Sequence, residues 1–510
     1  MPLFLAPLSV LAVALPFLFC VTDAPTANFW PLIASWLCGA VLLCVAALEP
    51  PAGREAWARR LAWGLALAAL VGSLVGLVQY VAGDVGWPAL AHASVPGQAV
   101  GNLRQRNQQA SLLSLGAWAL LWWSLHGGAW LRQREGAIKE VVNVLATMAL
   151  VWIALASAAT ASRTGAVQWL MVLGLVLAWR RSGVDRGGPL RLVLAALVVY
   201  ALASWALPEL LWRVEGVRAD ALFQRFVGDA RSCTSRRVLW SNMLTLIAQK
   251  PWLGWGWGEL DYAHYVTLFP GERFCVLLDN AHNLPLHLAV ELGVPAAAVL
   301  CWAVLAWVLY RQPWREAAPA RQLAWGVLAI IGLHSMVEYP LWYGPFQIVA
   351  LASAALLLWP QGAAWSARGA VAAGLGAALV AGVCGFAAWD YHRVSQLYKP
   401  ASERAAAYRE DTQAKVGRSV LFSSQIDFAR LTTTPVTREN AQSVHALALE
   451  LLHYSPEPRV IEALIESAVL LGRDDEAAFH MRRYRIAYPA DYERWASVRA
   501  DRIRLASGIP

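Results

Sequence analysis

The residues best equipped for chemistry stand together at Asp279-Asn280-Ala281-His282-Asn283-Leu284-Pro285-Leu286-His287, with Glu291-Leu292-Gly293 just beyond. They close a long polar loop and open an apolar stretch long enough to cross a bilayer. Titratable and amide groups at such a border are costly to desolvate, so they mark a place that faces water or a ligand. An imidazole there, His282, can exchange a proton near neutral pH. His287 lies five residues on, rotated off the same helix face, and reads as packing. Glu291 falls inside the apolar stretch, where an ionised carboxylate needs a partner; it is either structural or the helper of an arginine.

Three further clusters carry suitable side chains. Gly101-Asn102-Leu103-Arg104-Gln105-Arg106-Asn107-Gln108 offers the amides of Asn102, Gln105 and Asn107 before one apolar stretch. Ser162-Arg163-Thr164-Gly165 puts a guanidinium between two others, at headgroup depth. In His334-Ser335-Met336-Val337-Glu338-Tyr339-Pro340-Leu341-Trp342, His334 and Glu338 are four apart and share a helix face that Pro340 ends. Such a pair either orients a reacting group or holds helices together. No His/Cys cluster has zinc-ligand spacing, and no phosphate-loop or dinucleotide glycine motif occurs, so neither metal nor cofactor is expected.

The elements that position these groups are membrane helices. Hydrophobic residues make up 58% of the 510-residue chain, charged residues only 15%, and mean hydropathy is +0.45. Apolar runs near twenty residues match the roughly 30 Å hydrocarbon layer. They fall near 3–21, 28–48, 61–82, 107–126, 140–160, 164–179, 190–207, 284–310, 322–337, 343–359 and 367–388. Basic residues collect in one alternate set of loops: Arg54, Arg59, Arg60; Arg132, Arg134, Lys139; Arg180, Arg181, Arg186, Arg191; Arg311, Arg315, Arg321; and Arg368. That set is expected to be cytoplasmic, which puts the N-terminus inside and everything after the eleventh span outside. The net charge of +8 then needs no nucleic acid; membrane lipid supplies the counter-charge. The expected fold class is all-α: a polytopic membrane bundle of about eleven transmembrane helices. Its parts are 1–207, N-terminal spans; 208–283, a periplasmic loop; 284–388, C-terminal spans; and 389–510, a periplasmic helical tail.

Within the loop, residues 235–250 place Val238, Leu239, Met243, Leu246 and Ile247 at helical spacing, which predicts an amphipathic helix on the membrane surface. Pro251 ends it, and the alternating Trp and Gly of 252–258 suit an interfacial turn. The tail shows helical patterns at 401–415, 438–454, 459–471 and 474–487, and Pro456 and Pro489, 33 apart, outline a tetratricopeptide-like hairpin. Cys233 and Cys275 share the loop, and in an oxidising compartment they are expected to form a disulfide beside His282.

Taken in order, the 101–108, 162–165, 252–258, 281–284 with 291–293, and 334–342 segments resemble the bacterial protein O-oligosaccharyltransferases, the pilin-glycosylation ligases of the PglL type. That family lies in a superfamily with O-antigen ligases and polymerases. The resemblance implies an enzyme of the bacterial inner membrane that moves a glycan from undecaprenyl diphosphate to Ser/Thr hydroxyls of a pilin-like or other periplasmic protein. Breaking the anomeric bond leaves negative charge on a departing diphosphate, and arginine forks suit that charge. The resemblance therefore points to Arg163 and to Arg236 or Arg237 at the diphosphate, with Arg104 and Arg106 as further outer-side arginines. Asn102, Gln105, Asn107 and Asn283 are expected at the donor, and Glu291, His334, Glu338 and Tyr339 in support. His282 becomes the motif histidine, acting as base, as positioner of the acceptor, or as a cation on the diphosphate. Two other readings stay open: a ligase or polymerase with a glycan acceptor, and a transporter, against which the polar groups gather at one surface rather than mid-span. If the cysteine pair forms, thiol labelling in the native protein finds neither Cys233 nor Cys275 until reductant is added; two free thiols overturn it.

Overall fold

The computed structural model describes residues 2–49, 53–126, 137–180, 188–222, 233–359 and 366–507. Arg132, Arg134, Arg181 and Arg186 of the basic loops, the side chain of Lys139, and residues 223–232 of the long loop lie outside them. Every regular element among the described residues is helical. In chain order these are α1 Pro2–Leu18, α2 Phe29–Leu48, α3 Arg54–Ala82, α4 Arg106–His126, α5 Ala137–Ala159, α6 Arg163–Trp179 and α7 Gly188–Glu215. There follow α8 Arg236–Gln249, α9 Leu260–Val266, α10 Leu284–Leu292, α11 Val294–Arg311, α12 Pro319–Ser335, α13 Gly344–Leu358 and α14 Ala367–Ser395. The tail adds α15 Thr412–Val416, α16 Ser423–Thr433, α17 Ala441–Leu452, α18 Pro458–Leu470, α19 Asp474–Ala487 and α20 Pro489–Ser507.

Six helices among the described residues are long and apolar enough to cross a membrane: Phe29–Leu48, Arg54–Ala82, Val141–Ala159, Gly188–Glu215, Val294–Arg315 and Ala367–Tyr398. Three shorter apolar helices, Phe4–Leu18, Arg163–Trp179 and Gly344–Leu358, accompany them. Each apolar stretch read from the sequence falls on helix, with two differences. The stretch 284–310 breaks at Gly293 into α10 and α11, so its candidate span begins at Val294. α7 continues through Pro208 to Glu215, because Leu211 beyond the proline is buried against Tyr80, Ala99 and Ala159.

The chain forms two compact units. The first comprises Met1–Gly228 and Leu305–Ala388. Its centre is α4, in which every residue from Gln108 to Ala119 is buried among α3, α5, α6 and α12. Small residues let the helices approach: a Cβ on Gly116 would strike Ala69, and one on Gly326 would strike Trp118. The Trp118 indole donates to the Leu323 carbonyl at 3.1 Å, so this buried N–H is paired.

The second unit comprises Asp229–Val304 and Trp389–Pro510. The apolar face of α8, expected on the membrane surface, is instead covered by protein. Val238, Leu239, Met243 and Leu246 are buried with Leu260, Ala263, Phe274, Leu278, Ala281 and Val290. Helical periodicity reports a covered face but not what covers it. In the tail, 401–415 is two 3-10 turns and the short α15 rather than one helix, while α17, α18 and α19 stand near their expected places. α18 and α19 pack as a hairpin across the turn at Gly472.

The Trp-Gly turn is bolted to the end of α10. Trp255 N–H donates to the Val290 carbonyl at 2.8 Å, Gly256 N–H to Glu291 at 3.0 Å, and Val294 N–H to Pro251 at 2.8 Å. A Cβ on Gly254 would collide with the Glu291 carbonyl, and one on Gly293 with the Trp252 carbonyl. Gly293 also holds φ 85°, ψ 161°, a conformation essentially confined to glycine. Gly293→Ala is therefore expected to destabilise the protein by about 2 kcal/mol or more, seen as a lower thermal midpoint in detergent. An unchanged midpoint would show that the turn is not held as described.

Candidate active site

In the second unit, Ser235 caps α8 by accepting from the Val238 N–H, which sets Arg236 as the first helical residue. Arg236 is half-buried, and its Nη2 lies 2.9 Å from His282 Nδ1; Arg237 beside it is exposed. His282 has φ +49°, in the left-handed region, and its N–H donates to Asn280 Oδ1 at 2.9 Å. That turn aims the imidazole back at α8. Trp240 of α8 clamps the same turn by donating to the Ala281 carbonyl at 3.2 Å. Neither Asn280, which is buried, nor Trp240 was given a role of its own from the sequence; an Asn two residues before a left-handed residue is the turn signal that was available.

A guanidinium has only donors, so the ring nitrogen facing it must present a lone pair. The imidazole of His282 therefore accepts at Nδ1 and carries its hydrogen on Nε2. The same arrangement recurs deeper in the unit. Arg273 Nη2 lies 3.1 Å from His264 Nδ1, and His264 Nε2 faces Asn242 Oδ1 at 3.3 Å. Burial, reinforced by the Arg273 charge, holds His264 well below the ordinary imidazole range.

Other candidates have structural employment. The side chain of Asn283 accepts from the Leu286 N–H as the N-cap of α10. Glu291 faces buried His287 across 3.5 Å, and its carboxylate takes the backbone N–H groups of Gly258 and Leu260. Cys233 and Cys275 are joined in a disulfide with Cα atoms 5.6 Å apart. Trp252, Leu253 and Trp257 of the adjoining turn are exposed.

The first unit gathers a separate polar cluster. Asn102 donates to the Leu18 and Leu90 carbonyls at 2.6 and 3.0 Å and accepts from His92 N–H, so its amide pins backbone. Arg104 donates to the Ala27 carbonyl, and Arg106 pairs with Asp220 at 2.7 Å. Helix α12 ends at Ser335, and Glu338 N–H donates back to the His334 carbonyl at 2.9 Å. His334 is held by Ser111, at 2.8 Å from Nδ1, and Glu338 by Gln105 and Asn107 at 3.2 and 3.0 Å. Tyr339 stacks at a tilt on Tyr343. Arg163, half-buried, opens α6 directly after its cap Ser162. Among the described residues no group of three His, Cys, Asp or Glu is placed to hold a metal ion.

Residues 148–301 match the family described as O-antigen ligase. Residues 99–123 match protein glycosylation ligase, and residues 322–502 match virulence factor membrane-bound polymerase, C-terminal. The matches take in the 101–108, 162–165, 281–284 and 334–342 segments on which the resemblance rests. The chain is thus related to the O-antigen ligase superfamily and, within it, to the PglL-type protein O-oligosaccharyltransferases. A general O-oligosaccharyltransferase of Acinetobacter baylyi (strain ATCC 33305 / BD413 / ADP1) is 24% identical over 177 residues. That similarity covers 30% of this chain and 31% of that protein, so it spans under a third of the relative's length.

The wall of the second unit also holds Asp261 on α9, whose carboxyl burial pushes up to about 7. A carboxyl raised in the folded state binds a proton that the unfolded chain has lost, so stability falls as pH rises from about 4 to about 7. Asp261→Asn, which mimics the protonated form, is expected to raise the thermal midpoint at pH 8 and to leave it unchanged at pH 4; an equal effect at both pH values would contradict this.

Proposed function

We propose that the chain moves a preassembled oligosaccharide from undecaprenyl diphosphate to Ser/Thr hydroxyls of periplasmic or pilin-like proteins, without a metal, at the outer face of the bacterial inner membrane. The proposed topology has a cytoplasmic N-terminus and a periplasmic tail. The hairpin of α18 and α19 serves there as a small tetratricopeptide-like cap. The kinship with O-oligosaccharyltransferases supports the reaction, and the Arg236–His282 contact is the observation that carries the site.

In the reaction the acceptor oxygen bonds to the anomeric carbon, the carbon–oxygen bond to the diphosphate breaks with its bonding pair leaving on the phosphate oxygen, and the hydroxyl proton of the acceptor passes to the departing diphosphate. The sugar develops oxocarbenium character as this happens. Arg236 is the cation proposed to meet the departing charge, because its fork binds phosphate oxygens in pairs and stays ionised. Arg163, at the first turn of α6, is proposed as a diphosphate cation on the same chemistry. Arg237, exposed beside Arg236, is the lesser candidate.

The hydrogen placement on His282 separates its proposed roles. With Arg236 donating to Nδ1, the ring meets an oxygen through Nε2–H, as a donor that positions and stabilises. Acting as a base requires the Arg236 contact to break first. We therefore favour positioning over proton abstraction while Arg236 holds the ring.

The test is glycan transfer in reconstituted membranes, with a lipid-linked oligosaccharide as donor and pilin-like protein and lipid A core as competing acceptors. Labelled protein is the expected product; transfer to the core alone would favour the O-antigen ligase reading. His282→Ala and Arg236→Ala are each expected to slow transfer on the order of a hundredfold or more. His282→Gln keeps an N–H donor and is expected to retain clearly more activity than His282→Ala. Equal loss in both variants would return the base role to His282.

A further inference from the structure

Three segments that are far apart in the sequence meet through one directed chain of hydrogen bonds in the first unit. Glu338 is buried, with 2% of its surface exposed, and its two carboxylate oxygens accept from Gln105 Nε2 at 3.2 Å and Asn107 Nδ2 at 3.0 Å. A carboxylate only accepts, so it decides which end of the Asn107 amide faces it. The carbonyl of Asn107 is thereby turned toward Ser162, whose hydroxyl donates to it at 2.7 Å. With its hydrogen committed, the Ser162 oxygen presents its lone pairs to the helix and accepts from Gly165 N–H at 3.1 Å. That bond is the N-cap of α6, and Arg163 is the first residue it fixes.

The surroundings leave this first turn little room. Ser162 is fully buried, and Ala161 before it is held at φ +47°. A Cβ on Gly165 would press on Ala110, one turn along α4 from Asn107. The direction of each bond follows from chemistry rather than from choice: only the carboxylate is restricted to accepting, and every donor after it is determined in turn.

We infer that Glu338 is a positioning residue for Arg163, acting through Asn107 and Ser162. The inference rests on the reading of Arg163 as a cation for the donor diphosphate. It reassigns Asn107 from contact with the ligand to support of the guanidinium. Glu338 does not touch the donor; it sets where the Arg163 backbone begins, and so where the side chain reaches. The arrangement also accounts for a carboxylate being kept in the interior of a membrane bundle, where an ionised group is otherwise disfavoured.

The experiment is a double-mutant cycle in proteoliposomes, reading the KM for lipid-linked oligosaccharide, kcat, and competition by glycan-free undecaprenyl diphosphate. Arg163→Ala is expected to raise the donor KM and weaken the competitor at least tenfold. Ser162→Ala, Asn107→Ala and Glu338→Ala are each expected to raise the donor KM severalfold in the parent. In the Arg163→Ala background they are expected to add little. Glu338→Gln, which still offers one oxygen to Asn107, is expected to recover most of what Glu338→Ala loses. Ser162→Ala removes a single oxygen and keeps the cycle readable where Glu338→Ala fails to fold. Additive effects in the Arg163→Ala background, or a parent-like KM for Ser162→Ala and Asn107→Ala, would overturn the inference while leaving the diphosphate role of Arg163 intact. An unchanged KM and competitor affinity for Arg163→Ala would instead remove that role and the inference with it.

Discussion

Hydrocarbon offers no hydrogen-bond partners, and this constraint organises the chain. Backbone groups in segments that cross the hydrocarbon must be satisfied internally, and each candidate span among the described residues is a helix. Polar side chains face the same demand; some, such as Ser35, Ser73 and Ser204, bond back to their own helix, and others join directed networks. Glu338 with Gln105 and Asn107, and His334 with Ser111 and Gln168, are the clearest cases. The outward surface is the reverse of a soluble protein: Val299, Trp302, Leu375 and Leu379 are each more than 60% exposed.

The two arginine–histidine contacts of the second unit show one motif in two settings. At His264 the ring is sealed in, flanked by Arg273 and Asn242, and serves the loop's architecture. At His282 the same donor-to-lone-pair geometry sits half-exposed at a helix entrance, braced by Asn280 and Trp240. The difference lies in exposure and surroundings, not in the contact. In both places the arginine occupies Nδ1 and leaves Nε2 as the ring nitrogen turned elsewhere.

Much of this was legible from residue types. Apolar length located the helices, and the left-out features are those that depend on what stands opposite. The face of α8 was visible in Val238, Leu239, Met243 and Leu246, but not its cover of Phe274, Leu278 and Val290. Asn102, Asn107 and Asn283 look alike on paper; one pins backbone, one relays a hydrogen bond, and one caps a helix. His334 and Glu338 were paired by spacing, but spacing along one helix does not show that their side chains bond to Ser111 and to Gln105 and Asn107. The break at Gly293 had a visible cause in the glycine, but only the collision with Trp252 makes it obligatory.

The order of the chain matters to the buried acid. Gln105, Asn107 and Ser162 precede Glu338, so during N-to-C synthesis the amides and the hydroxyl emerge from the ribosome first. The carboxylate arrives last, with its donors already made. A circular permutation that began the protein between α6 and α12 would reverse that schedule, leaving an unpaired anion waiting in lipid for helices still to be translated.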